Sequence, residues 1–559
     1  MIRLFEQHHV RPVQELTGTW QFQRENDEHV YHLAVPGCWE QQPDLAAYRG
    51  RGEYQRTLQV ERDHTNLRLE FQGVSHTADV FFDGQQVAHH YNAYTPFAAL
   101  IRDVAAGDHL LTVAVDNRFG PASALHKPND YYTYGGIIRG VTAEIVPDMF
   151  IQQSHFTSTM TATGWQGRLQ VTVTNTAATA QAVSVSARLA GQEVQLEPQT
   201  VAGQTTATFE WQTDFDQVTA WTPAQPQLYL ATTELIQDGQ VIDDLVERVG
   251  FRQVKVVGNR IQLNGQSVFL QGFNRHEDSV AYGCALPFQQ IVQDLDLMVD
   301  MGANAVRTSH YPNDQRFLDL CDERGLLVWE EAHARGLTLA QMQNPNFDQQ
   351  CADCNQEMVD AHFNHPSIVI WGLLNECASD TAAGRKKYQM QYQQIRQLDA
   401  TRPVTSATCQ HFKDRCLDLP DVVSYNLYTG WYEDGSVEKG NDREIEWIDQ
   451  TPGAGKPMIV SEFGAGAIYG YRNRTRCKWS EERQADILGA CLDTYLNDSR
   501  LSGAFIWQFC DCRVTEEEWF AVRPRSYNNK GILDEYRRPK LAYDVVKAKF
   551  QEHLKQLNQ

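Results

Sequence analysis

The sequence predicts a multidomain chain, two β-sandwiches followed by a (β/α)8 barrel, and three observations carry that prediction. The chain has 559 residues, too many for one hydrophobic core, because single cores stop growing at roughly 250–300 residues. Up to about residue 252 it reads as short alternating strands broken by turn residues. Beyond that point apolar or β-branched runs alternate with helix-spaced segments, the pattern of a parallel barrel.

Residues 1–147 hold LRLEF (67–71), ADVFFD (78–83) and LLTVAV (110–115), regularly spaced strand runs that predict the first sandwich. In residues 148–252, RLQVTVT (168–174) and VSVSARL (183–189) alternate with a strict period of two. About 100 residues of such strands fit an immunoglobulin-like sandwich. The third region, 253–559, opens with RIQLNGQSVF (260–269), whose Asn264-Gly265 pair favours a tight hairpin turn. Eight strand-like runs follow, at 268–274, 304–309, 326–331, 368–376, 403–408, 422–428, 458–462 and 503–509. Phe288, Ile291, Val292, Leu295, Met298 and Val299 keep helical spacing between the first two, and a helix at 541–557 closes the ring.

The charge balance is strongly acidic, 49 Lys and Arg against 71 Asp and Glu for a net charge of -22. Such a field repels phosphate backbones and anionic membranes, so nucleic acid and membrane partners are not expected. The beginning of the chain lacks a basic stretch followed by an apolar core, and the natural reading is a cytoplasmic protein. Twelve cysteines are too sparse for a disulfide scaffold, and Cys321, Cys409 and Cys491 read as reduced core residues. Cys351 and Cys354 have the spacing of half a zinc site, but no second pair stands at the usual distance, so no metal is expected. No cofactor is expected either.

The chemistry concentrates in two runs, SIVIWGLLNE (367–376) and PMIVSEFG (457–464), which place Glu376 and Glu462 at the ends of apolar strands. In a parallel barrel the C-terminal strand ends face the catalytic mouth. Two carboxylates about 5 Å apart are what a glycosidase needs to cleave a sugar with retention of configuration. The same rim is predicted to collect His276, Arg307, His310, Asn375, Asn426, Tyr428 and Tyr432, with Trp507 as an apolar platform for a pyranose ring. Each of these alone is more commonly structural; their convergence on one rim points to a site.

GFNRHED (272–278), RTSHYP (307–312), the stretch from Asn364 to Glu376 and SEFG (461–464) together resemble family-two glycoside hydrolases, the group of β-galactosidases, β-mannosidases and β-glucuronidases. The resemblance extends to YGGIIR (134–139) and WTP (221–223) and covers the whole chain. It implies a jelly-roll, sugar-binding-like first domain, Glu376 as general acid/base and Glu462 as nucleophile. It also implies a homo-oligomer, commonly a tetramer. Asn528-Asn529-Lys530 looks like the Asn-x-Lys motif with which β-glucuronidases hold the C6 carboxylate, a local cation for an anionic substrate in an acidic protein. Asp130 matches an aspartate lent to that pocket by the first sandwich. Arg523 and Arg525 flank Pro524, where some relatives place an arginine. The expected reaction is therefore hydrolysis of small-molecule β-D-glucuronides. Arg335, in a region where related hexuronidases use an arginine to favour the axial C4 hydroxyl, keeps a β-galacturonidase or dual hexuronidase as the alternative. A neutral-sugar β-galactosidase ranks below both, and a non-catalytic carbohydrate-binding protein is the reading from a different class.

Overall fold

The computed structural model describes residues 2–557. Near the N-terminus, a four-stranded and a six-stranded antiparallel sheet face each other. Trp20, Phe22, Tyr54, Leu69, Val113 and their neighbours fill the space between them. The alternation seen in LRLEF is realised in Thr65–Phe71, where every second residue is buried. Two further antiparallel sheets follow, one of them built on the long hairpin of Met149–Met160 with Trp165–Asn175. Val171, Val185, Phe209 and Phe251 lie in the core between them. Arg11 ties the two sandwiches together from a buried position, bonding Asp243 at 2.7 Å and Glu144 at 2.8 Å.

The hairpin forms as predicted: Asn264 and Gly265 have φ of 52° and 79°, the left-handed pair that matches strand twist. Parallel strands then run Leu270–Arg275, Ala305–Thr308, Leu327–Glu331, Ile368–Gly372, Val404–Thr405 with Ala407–Thr408, Val423–Asn426, Met458–Phe463 and Leu501–Ile506. All are buried on both faces, which is why they read as continuous apolar runs. The first strand pairs with the last, at Leu270 with Gly503. Strand five is not the single run expected. It breaks at Ser406, one half pairing with strand four and the other with strand six.

Two cores serve the barrel. Inside, Leu270, Ala305, Trp329, Ile370, Ile459 and Phe505 meet Trp221 from the second sandwich. Outside, the helices pack around the sheet, ending with Ala542–Leu557. Strand four is shorter than its sequence suggested: it stops at Gly372, and Glu376 sits beyond it with φ of 52°. A left-handed residue cannot continue a strand, and the turn is held by the bridge between Arg335 and Asn375. The twelve cysteines are all free. No helix among the described residues is long and apolar enough to cross a membrane.

Candidate active site

The mouth of the barrel opens into a cavity of about 410 Å³. Nine of the residues singled out from the sequence line it: Asp130, Arg335, Glu376, Asn426, Tyr428, Tyr432, Glu462, Trp507 and Lys530. Both glutamates therefore face one space, Glu376 from the turn after strand four and Glu462 from strand seven.

Arg307, fully buried at the end of strand two, organises the floor. Its guanidinium donates to Glu462 Oε1 at 3.0 Å, to Asn375 Oδ1 at 2.8 Å and to Glu331 Oε2 at 2.8 Å. The other oxygen of Glu462 accepts from the Tyr428 hydroxyl at 2.8 Å. Glu376 accepts from Asn426 Nδ2 at 2.9 Å and from Arg335 at 3.3 Å. Burial, and then the negative charge of Glu376, pushes Glu462 up to about 7, while Arg307 and Arg335 pull the other way. Burial likewise raises Glu331 to about 8 against the pull of Arg307.

Besides Arg307, four predicted residues lie behind the wall instead of on it. His310 stacks on Trp507 with ring centroids 5.0 Å apart, and His276 meets the same indole edge-on at 5.3 Å. Both imidazoles are held neutral, His276 at about 3, because burial and then nearby arginines disfavour the cation. They brace the platform, and Nε2 of His310 stands 3.8 Å from Glu462. Asn375 spends its oxygen on Arg307 and Asn426. Asn528, expected to grip a carboxylate directly, donates its amide to Asp130 at 3.0 Å. Spacing along a strand end tells which rim a residue reaches but not how deep it lies.

At the other end of the cavity Lys530 is buried, 2 % exposed. Its Nζ lies 3.5 Å from Asn528 Oδ1 and 5.2 Å from the centre of the Tyr432 ring, with no carboxylate of the described residues paired to it. Burial, and then the charge of Arg523, lowers its pKa. Burial opposes ionisation of Tyr432, but Lys530 and Arg523 outweigh it and hold that phenol below its usual value. Arg523 donates to Asp130 at 2.9 Å and to the Tyr432 hydroxyl at 3.2 Å. A buried ammonium beside a neutralised Arg–Asp pair is a receptor for one negative charge.

Cys409, His411, Glu433 and Trp519 also line the cavity. The first two follow strand five, so the strand-end rule would have found them. Elsewhere Asp319, Asp322 and His365 offer three metal-ligand atoms within 4.8 Å of one another. These groups are already engaged, Asp319 with Arg3 at 2.9 Å and Asp322 with His365 at 2.5 Å.

Sequence profiles of one family match three successive parts of the chain. "Glycosyl hydrolases family 2, TIM barrel domain" covers residues 254–554, "Glycosyl hydrolases family 2" covers 149–252, and its sugar binding domain covers 13–147. The chain belongs to glycosyl hydrolase family 2. As a family-2 member it is a glycoside hydrolase, and the fold expected from its sequence, two sandwiches and a barrel, is the family's. A β-galacturonidase of this family from Eisenbergiella tayi, solved bound to galacturonate, is 48% identical over 99% of both chains with a TM-score of 0.96. The β-glucuronidase of Bifidobacterium dentium, solved with coumarin-3-O-glucuronide, is 26% identical over 97% of both chains with a TM-score of 0.87. A β-glucuronidase of Paenibacillus borealis is 27% identical over 97% of each chain.

Proposed function

We propose that this family-2 enzyme is a retaining β-hexuronidase that takes β-D-galacturonides first and β-D-glucuronides second. The observation that supports the reading is that one cavity is lined both by a buried Lys530 with no carboxylate of the described residues paired to it and by Arg335. Lys530 calls for a sugar acid, which disfavours a neutral galactoside. Arg335, fixed by Asn129 at 2.8 Å and Glu376 at 3.3 Å, is the arginine whose position implied recognition of an axial C4 hydroxyl. From sequence alone the glucuronide ranks first. The 48% identity to a galacturonidase, against 26% and 27% to glucuronidases, supports the reverse order.

In the proposed reaction the sugar carboxylate lies at Lys530 with Arg523 and Tyr432 alongside, and the ring packs on Trp507. Glu462 attacks the anomeric carbon as Glu376 protonates the leaving oxygen; Glu376 then takes a proton from the water that releases the sugar acid. Arg307 and Tyr428 hold the nucleophile's two oxygens, so the attacking carboxylate is oriented before substrate arrives.

Initial rates on nitrophenyl β-galacturonide, β-glucuronide and β-galactoside test the assignment, with the first expected highest and the last negligible. Arg335→Ala is expected to lower galacturonide turnover more than glucuronide turnover. A galactoside rate equal to the uronide rates, or an inverted first product, defeats it.

A further inference from the structure

A second cavity of about 320 Å³ adjoins the sugar cavity, the two sharing His411 and Glu433 on their walls. The second cavity runs to the start of the helix Val437–Ile448. One wall is Phe412, 43 % exposed, with the Arg443 guanidinium 4.5 Å from its ring centre. Lys439 stands one turn earlier on the same helix, and Asp434 precedes it. The Thr429 hydroxyl, also on the wall, is buried without a partner.

The direction of this extension matters. A glycoside's leaving group departs beside the group that protonates it, and Glu376 abuts strand five, its N–H bonded to the Ala407 carbonyl at 2.9 Å, where the chain runs on to Cys409 and His411 on the same cavity wall. Lys530 and Arg523 line the first cavity only. A substrate with its carboxylate at Lys530 and its anomeric carbon between the glutamates therefore sends its leaving group toward His411 and onward.

Resting on the hexuronidase reading, we infer that the second cavity is a leaving-group subsite for a pyranose, so that the preferred substrates are hexuronosyl oligosaccharides. A sugar ring offers an apolar face and an edge of hydroxyls. The cavity answers with the exposed ring of Phe412, with the donors Lys439 and Arg443 and with the acceptors Glu433 and Asp434, while Glu444, also on its wall, pairs with His411 at 3.0 Å. Both signs of charge stand on the wall, so the hydroxyls of a neutral sugar can donate to one set and accept from the other. A flat apolar leaving group would desolvate these charged side chains and return no hydrogen bonds.

The test compares methyl β-D-galacturonide with a β-D-galacturonosyl-hexose disaccharide. Both leave an alkyl alcohol, so they differ in the second ring and not in leaving-group chemistry. Wild type is expected to favour the disaccharide in kcat/KM. Arg443→Ala and Phe412→Ala are expected to cut disaccharide kcat/KM by about tenfold while the methyl glycoside rate, which also reports correct folding, stays unchanged. Equal losses on both substrates, or an undiminished disaccharide rate, overturn the inference and leave the hexuronidase reading standing. Hydrolysis of neither substrate by wild type overturns the hexuronidase reading and this inference with it.

Discussion

Arg523 and Asp130, 393 residues apart in the chain, form a buried ion pair with Nε donating to Oδ1 at 2.9 Å. The pair joins the loop after the last barrel strand to the first sandwich at the edge of the cavity. It also sets the local charge: Asp130 is neutralised by Arg523, which leaves the ammonium of Lys530 available to a sugar carboxylate. Removing the arginine strands a buried carboxylate that Lys530 would then neutralise. We therefore expect Arg523→Ala to raise KM for uronides and to lower kcat/KM by roughly 30-fold or more, as for loss of one partner of a buried charge pair. Adding Asp130→Asn should restore part of the loss. A double-mutant cycle measures this coupling, and strictly additive losses would refute the proposed division of charge.

The nucleophile's position predicts the acid limb of the pH profile. Glu462 is pushed up to about 7 by burial and then by Glu376, and its protonated carboxyl cannot attack. Thus kcat/KM falls as pH drops through about 7. Arg335→Met removes a cation that favours the ionised form, so the limb should move to higher pH. Glu376→Gln removes a like charge, so the limb should move lower; a nitrophenyl substrate, which needs little protonation on leaving, keeps that variant measurable. Profiles of the two variants displaced in the same direction would show that these charges do not set the nucleophile's titration.

What the sequence made legible follows from what each feature depends on. The eight barrel strands were readable because burial on both faces writes a local signature, as in MIVSEF at 458–463. The position of Glu376 just off strand four was not, because the left-handed turn that carries it is set by the pairing of Asn375 with Arg335, just past the neighbouring strand three. His276 and His310 were placed on the correct rim, yet depth depends on how Trp507 packs over them. The partnership of Arg523 with Asp130 has no local signal at all, since only the docking of the first sandwich on the barrel brings the two together.

That docking rests on another buried arginine, and its contribution can be measured. Arg139 leaves the first sandwich to bond Glu277 at 2.8 Å and the Pro312 carbonyl at 2.7 Å on the barrel, and it also holds the Tyr94 carbonyl at 2.7 Å. Both charged side chains are nearly inaccessible, at 4 % and 2 %. Arg139→Met keeps much of the volume but leaves Glu277 short of a counterion and two carbonyls without a donor, a loss of roughly 3 kcal/mol or more. By contrast, Arg168 pairs with Glu210 on the open face of the second sandwich, where both are more than two-fifths exposed. Arg168→Met should cost less than about 1 kcal/mol. Urea unfolding of the two variants beside wild type separates the cases: a clear drop in midpoint for Arg139→Met and almost none for Arg168→Met. Equal midpoints would mean that the sandwich is held to the barrel by apolar contact alone.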